Sequence, residues 1–183
     1  MRIPPTGIAT LFALLIGASP ALAQRRAPDT GMVGVGVSVG VDIPSAPALD
    51  KGLDLAANIE GYLTPRVSVR GQLGGAWWDI VGQRFTGTVK PLYVDGNIVY
   101  NWEGGAVHPY VTAGIGMYRF RFEQAGLEGS DTKAGFNFGG GVEYFVNRMT
   151  TVKGEARFDV VSHPPGLPDA TGFTLSIGLK RYF

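Results

Sequence analysis

From Met32 onward, apolar side chains recur at every second position. In MVGVGVSVGVDI, Val33, Val35, Val37, Val39, Val41 and Ile43 share one face, and Gly34, Gly36, Ser38, Gly40 and Asp42 share the other. Successive side chains of a strand point to opposite sides, so a period of two predicts a strand with one apolar and one small or polar face. The pattern returns along the chain. Leu53, Leu55, Ala57, Ile59 and Leu63 oppose Asp54, Asn58 and Glu60, and Val67, Val69, Leu73 and Trp77 oppose Ser68, Arg70, Gln72 and Trp78. Leu92, Val94, Ile98, Tyr100 and Trp102 oppose Tyr93, Asp95, Asn97 and Asn101. Farther on, Phe136, Phe138, Val142 and Tyr144 oppose Asn137, Gly139, Gly141 and Glu143. Val152, Ala156, Phe158 and Val160 oppose Lys153, Glu155, Arg157 and Asp159, and Phe173, Leu175, Ile177 and Leu179 oppose Thr174, Ser176, Gly178 and Lys180. With the segment around Val111 to Met117, eight strands are predicted.

Two kinds of connection join them. Compact turns are expected at Thr64-Pro65-Arg66, Glu103 to Val107 and Asn147-Arg148. Longer polar loops are expected at Pro44 to Asp50, Gly82 to Gly87, Gln124 to Thr132 and Ser162 to Ala170. Short and long connections alternate, so the two ends of the assembly differ. No helical period of useful length follows Ala23.

The first 23 residues have a different character. Arg2 precedes the short apolar run IATLFALLI, and Ala21-Leu22-Ala23 forms an A-x-A cleavage site before Gln24. A bilayer-spanning helix needs roughly 20 apolar residues, so the run reads as an export signal rather than an anchor. The expected organisation is a signal peptide at 1–23, a short mobile polar lead-in at 24–31, and one domain at 32–183. Removing the leader takes away Arg2 alone among the 16 Lys+Arg and none of the 15 Asp+Glu, leaving a formally neutral chain. That balance gives no footing for nucleic acid. The chain has no Cys, which excludes disulfides, a lipidated cysteine and thiolate metal sites.

The polar face decides which solvent the apolar face meets. It carries Asp54, Glu60, Arg70, Asp95, Glu143, Lys153, Glu155, Arg157, Asp159 and Lys180. A soluble barrel such as a lipocalin-like carrier would hold its apolar face inside and solvate these charges. It would have no use for two outer bands of aromatics. Tyr62, Tyr100, Trp102, Tyr110, Tyr144 and Phe183 gather near the short turns, and Trp77, Phe120, Phe122 and Phe173 near the long loops. Such girdles around a strip of about 9–11 residues per strand fit the two interfaces of a bilayer. An unpaired backbone group is costly in hydrocarbon, so the last strand must close on the first. The expected fold is all-β, a closed antiparallel eight-stranded up-and-down transmembrane β-barrel. One segment changes phase, because Val111, Ala113, Ile115 and Met117 are odd-numbered whereas Phe120 and Phe122 are even. A bulge near Met117–Tyr118, or a strand leaving the membrane there, would turn Arg119 and Arg121 to the polar side.

The closing stretch TGFTLSIGLKRYF resembles the C-terminal signal of Gram-negative outer-membrane barrels. Gly178 and Phe183 match it, Arg181 stands where an aromatic is usual, and Tyr182 carries a ring one place later. HPYVTAGIGMYRF and GFNFGGGVEYFVNRMTTVKGEARFD also look like the eight-stranded outer-membrane β-barrel family, similar to the barrel domain of outer membrane protein A. The resemblance covers Met32 to Phe183. It implies the bacterial outer membrane, with outer-membrane lipid and the barrel assembly machinery as partners. No peptidoglycan-binding domain is expected, because the chain ends at the barrel. It speaks to architecture more than to activity.

An eight-stranded interior can be filled by side chains. Buried charges must be paired, so a network is expected: Glu143 beside Lys153 or Arg157, and Glu155 or Asp159 near Lys180. The inward glycines Gly34, Gly36, Gly139 and Gly141 leave space for rings such as Trp78 and Tyr93, or for a narrow polar path. Catalysis has little support. Ser162-His163 with Asp159 or Asp169 is the one conceivable nucleophile–base set, yet adjacent residues of a strand face apart. His108, beside Pro109, reads as a surface residue, and it lies at the opposite end from His163, so no shared metal is expected. Gly139-Gly140-Gly141 lacks the strand-to-helix context of a phosphate loop, and no cofactor is expected. Three roles remain: a structural or envelope-integrity barrel first, adhesion or ligand binding through the loops second, and a narrow porin-like path for small solutes third.

Overall fold

The computed structural model describes residues 28–46, 49–80, 87–102, 105–124, 127–161 and 171–183. β1 (Val33–Pro44), β2 (Gly52–Tyr62), β3 (Val67–Ile80) and β4 (Gly87–Asn101) follow one another, each antiparallel to the last. β5 (Val107–Gln124), β6 (Leu127–Asn147), β7 (Thr150–Val161) and β8 (Gly172–Tyr182) continue the same meander. The sheet then closes on itself between β8 and β1. That seam pairs every residue from Gly34↔Tyr182 to Pro44↔Gly172 and is as extensive as the β1–β2 ladder.

The alternation read from the sequence becomes an inside and an outside. Along β1 every odd residue is exposed and every even one buried. Ile98, Ile115 and Ile177 are 64%, 75% and 66% exposed, whereas Glu60, Arg70 and Lys180 are at most 1% exposed. A water-soluble fold has this the other way round. The outer apolar strip runs over about 11 residues per strand, for example Leu92 to Trp102 along β4 and the residue after it, and Val107 to Met117 on β5. Tilted by about 45° at about 3.3 Å per residue, such a strip spans roughly 25 Å, the height of a bilayer's hydrocarbon band.

The short-turn end is closely tied. Thr64 Oγ1 accepts the backbone N–H groups of Arg66 (3.2 Å) and Val67 (2.9 Å), fixing the β2–β3 turn. Gly105, at φ +74, supplies the left-handed step between β4 and β5. The end of the lead-in is also held, because Gly31 N–H donates to Tyr62 O at 2.8 Å and Met32 packs on the inner cluster there. The expected leader at 1–23, the first four residues of the lead-in, and Ser162, His163 and Asp169 lie outside the described residues.

β5 and β6 depart from expectation. Their ladder runs without a register shift from Val107↔Tyr144 to Gln124↔Leu127, so there is no bulge at Met117–Tyr118 and most of the expected Gln124–Thr132 loop is strand. With the phase unbroken, Tyr118 and Phe120 point into the barrel, and Arg119 and Arg121 lie on the exposed outer wall. The side chains change character because the hairpin leaves the membrane, where an outward residue meets water or headgroups instead of acyl chains.

Closure makes a specific mutation decisive. Ile177 pairs with Val39 of β1 and Gly154 of β7. Ile177→Pro removes a ladder donor and distorts the seam. We expect this variant to lose the mobility difference between unheated and boiled samples on a gel, whereas Ile177→Val keeps it.

Candidate functional site

The lumen is layered. At the short-turn end Tyr62, Phe145 and Tyr182 form an aromatic cap, with Phe145 and Tyr182 stacked at 5.6 Å. At the long-loop end Trp78, Tyr93, Tyr118, Phe120, Val89 and Val161 form a second apolar cluster. Charged side chains fill the space between the caps. In such a dry position their tolerance depends on being paired and hydrogen-bonded.

The lower charged layer is balanced, with Glu60, Glu143 and Glu155 set against Arg70, Lys153 and Lys180. Glu60 accepts Ser68 Oγ at 2.5 Å, Arg70 Nε at 2.9 Å and Lys180 Nζ at 2.7 Å. Lys180 also donates to Glu143, whose other oxygen accepts the Tyr182 hydroxyl at 2.5 Å. Arg70 reaches from β3 across the barrel to Glu155 of β7, donating at 2.6 Å, and Tyr110 donates to the same oxygen at 2.7 Å. Lys153 Nζ stands 3.5 Å from Glu155, a charge contact without a hydrogen bond. One chain of contacts thus joins β2, β3, β5, β6, β7 and β8.

The upper layer is acidic. Asp42, Asp54, Asp95 and Asp159 surround one cation, Arg157. Arg157 Nε donates to Asp159 at 3.0 Å, Nη1 lies 3.7 Å from Asp95, and the guanidinium sits 4.5 Å over the Tyr93 ring. Tyr93 donates to Asp54 at 3.0 Å and Tyr118 to Asp159 at 2.7 Å. Tyr93 has room because its cross-strand partner is Gly74, where an added Cβ would lie 2.3 Å from the Tyr93 hydroxyl. A cavity of about 20 Å³ among Asp42, Trp78, Tyr93, Tyr118 and Arg157 is space for about one water.

The six expected network residues, Glu143, Lys153, Glu155, Arg157, Asp159 and Lys180, all lie in the lumen, but the pairings differ from those expected. Glu143 is bonded to Lys180, and Glu155 is bonded to Arg70. Partners sought on adjacent strands miss that eight strands enclose a lumen narrow enough for opposite walls to touch. Glu60 and Arg70, the hub of the lower layer, were read only as polar-face residues. Their signal was the same charge alternation on β2 and β3.

The aromatics divide by the same alternation. Tyr100 and Trp102 stand on the outer wall in an edge-to-face pair 5.0 Å apart, with half-buried Tyr144 and exposed Phe183 at the same end and Trp77 at the other. Tyr110 does not belong with them. It is an even-numbered residue of β5, 2% exposed, inside the lumen on Glu155 and opposite Gly141. Tyr62 and Phe120 are inward for the same reason of parity. At the C-terminus Gly178 and Tyr182 share the inner face while Phe183 projects outward. His108 is likewise buried rather than on the surface, its ring 4.9 Å from Phe145 and its Nε2 2.9 Å from Gly105 O.

A family model for the outer membrane protein beta-barrel domain matches residues 9–180. The chain belongs to that family. It is a protein of the bacterial outer membrane, and small barrels of this family are typically non-catalytic. Solved structures agree on the fold. OprG of Pseudomonas aeruginosa is 14% identical with a TM-score of 0.69, over 85% of this chain and 97% of that one. Neisserial surface protein A is 16% identical with a TM-score of 0.65, over 83% and 96%. Ail, the attachment invasion locus protein of Yersinia pestis, is 14% identical with a TM-score of 0.61, over 84% and 99%. No curated protein sequence matches this one.

Lys180 ties two buried carboxylates together, so its loss exposes the cost of leaving them unpaired. Lys180→Met is expected to destabilise the folded barrel by about 3–5 kcal/mol. The measurement is the urea midpoint of the gel-mobility transition in lipid vesicles.

Proposed function

We propose that this protein is a non-conducting, non-catalytic barrel whose role is structural, holding its place in the envelope rather than passing solutes. What carries the reading is the sealed lumen: an aromatic cluster at each mouth, and the Arg70–Glu155 contact spanning the space between them. Hydrated ions need an aqueous path, and among the described residues paired side chains stand across the middle of the lumen. Interface aromatics Trp77, Tyr100, Trp102, Tyr144 and Phe183 would sit at headgroup level, and Gly178, Tyr182 and Phe183 would form the signal read by the barrel assembly machinery.

A second reading is surface binding, favoured by the β5–β6 hairpin. β6 begins at Leu127, and among the described residues its pairing with β7 runs from Gly135↔Val161. Ail, a barrel of similar fold, has been solved with the heparin analogue sucrose octasulfate. One experiment separates the readings. Purified barrel in planar bilayers should give no steady conductance, and cells displaying it should bind immobilised heparin no better than cells without it. Stable single-channel steps would overturn the structural role in favour of a pore. Heparin binding lost when residues 122–130 are replaced by a short turn would establish adhesion.

The leader belongs to the same proposal, supported by the A-x-A site at Ala21 to Ala23. Intact-mass analysis of the protein extracted from outer membranes should give a chain beginning at Gln24. A mass retaining residues 1–23 would refute cleavage there.

A further inference from the structure

Beside the acidic layer, a rung of uncharged polar side chains leaves several buried atoms without a partner. Asn97 of β4, Gly114 of β5 and Asn137 of β6 share that inward rung. Asp95, paired with Gly116, is the inward residue next above Asn97, and Thr112 is next below Gly114. None of the four polar side chains is more than 5% exposed. The Asn97 amide N–H donates to Asp95 Oδ1, which fixes the way that amide faces and leaves its carbonyl over. Asn97 Oδ1, Asp95 Oδ2, Thr112 Oγ1 and both polar atoms of the Asn137 amide have no hydrogen-bond partner. Asp95 Oδ2 has the Arg157 guanidinium 3.7 Å away, an ion-pair contact too long for a hydrogen bond.

Glycine makes the space between them. Gly114 and Gly116 put no side chain between the inward residues of β4 and β6. A Cβ on Gly114 would fall onto Asn97 Oδ1, so that oxygen lies over bare backbone on the way to Asn137. Tyr118 closes the gap from above, its Cε2 standing 2.9 Å from where a Cβ of Gly135 would be. Buried polar atoms left bare are costly, and a native fold meets that cost with a water or an ion. The kind of atom decides between the two. A carboxylate oxygen and amide carbonyls accept and cannot donate, whereas a water has two protons to share among them. Charge points the same way, because Asp42, Asp54, Asp95 and Asp159 share Arg157 as the buried cation of their layer among the described residues. Carboxylate, carbonyl and hydroxyl oxygens are the ligands of hard cations. No three acidic or imidazole side chains converge as a metal site among the described residues, and a lone carboxylate suits a monovalent ion better than a divalent one.

We propose that the lumen binds a monovalent alkali cation, sodium or potassium, through Asp95 Oδ2 and the side-chain oxygens of Asn97, Asn137 and Thr112. Neither end of the Asn137 amide is bonded, so its oxygen is free to turn to the ion. The ion enters as the barrel folds, and the aromatic caps hold it there. That retention rests on the sealed lumen of the proposed function, whereas the binding does not.

The test uses the full mature protein, folded in lipid vesicles in sodium chloride, potassium chloride, or tetraethylammonium chloride of equal concentration, whose cation is too large for the gap. The urea midpoint should be higher in at least one alkali salt. After exchange into tetraethylammonium buffer, elemental analysis should find one alkali ion per folded barrel. Asp95→Asn removes the site's charge, so it should lower retention by roughly tenfold or more and make the midpoint indifferent to the salt. Asn137→Leu, with every carboxylate in place, should do the same, whereas Asn137→Asp keeps an oxygen there and should keep the ion. Asp50→Asn, on the exposed surface, should change nothing. Folding of each variant is verified by its unheated gel mobility. Equal midpoints in all three salts would show that water fills the gap and overturn the proposal, as would salt effects unchanged in both the Asp95→Asn and Asn137→Leu variants. A retained divalent ion would overturn the monovalent assignment. A midpoint raised by an alkali salt, with the ion lost on exchange, would support the site and overturn the sealed lumen instead.

Discussion

In hydrocarbon a backbone N–H or C=O that loses its partner finds no water to replace it, and this constraint governs the whole molecule. A sheet can meet it only by having no edge. β1 and β8, at opposite ends of the chain, are joined along their full length for that reason. Closure in turn settles where side chains can go. Each strand gives half its residues to lipid and half to a narrow lumen. Val35, Ile98 and Ile177 face the acyl chains because nothing polar can, and the charges must turn inward, where they pair with one another and with inward hydroxyls such as those of Ser68, Tyr110, Tyr118 and Tyr182.

The inward charges also fix register. A strand apolar on both faces could slip by one residue at little cost, since either face would suit the lipid. Here a one-residue slip of β2 would carry Asp54, Asn58 and Glu60 into the acyl chains together. The contacts between distant strands extend this control. Arg70 of β3 and Glu155 of β7 meet only if every intervening strand on both sides is correctly staggered. The network's contribution is thus as much to uniqueness as to stability, in keeping with what buried ion pairs do when their desolvation is costly.

How much of this was legible in the sequence follows from the physics of each feature. The strands, their faces and the inversion could be read because they depend on a local period of two. Closure could be read because hydrocarbon forbids the alternative. The partners within the lumen could not be, since Lys180 meets Glu60 and Glu143 through barrel diameter and stagger, which no local pattern encodes. Tyr110 and Tyr62 were misplaced because aromatic identity was weighed above parity. A ring near a strand end suits either an interface or an inner cap, and only the odd or even count distinguishes them. The buried His108 was obscured by Pro109, whose turn signal suggested a surface.

The change of phase on β5 carries a further lesson about where the membrane stops. A strand whose apolar positions pass from odd to even has two explanations: the backbone slips by a residue, or the surroundings change while the backbone continues. The unbroken β5–β6 register excludes the first. Under the second, the turning point should fall at a similar height on neighbouring strands, and on β4, β5 and β6 it does. On β5 the outer face passes from Met117 to Arg119, on β4 from Leu92 to Lys90, and on β6 from Ala134 to Thr132. Arg119 is paired with both Leu92 and Thr132, so these changes lie within a single rung of one another across three strands. A line of that kind is drawn by the solvent outside the barrel, and it marks the outer boundary of the hydrocarbon.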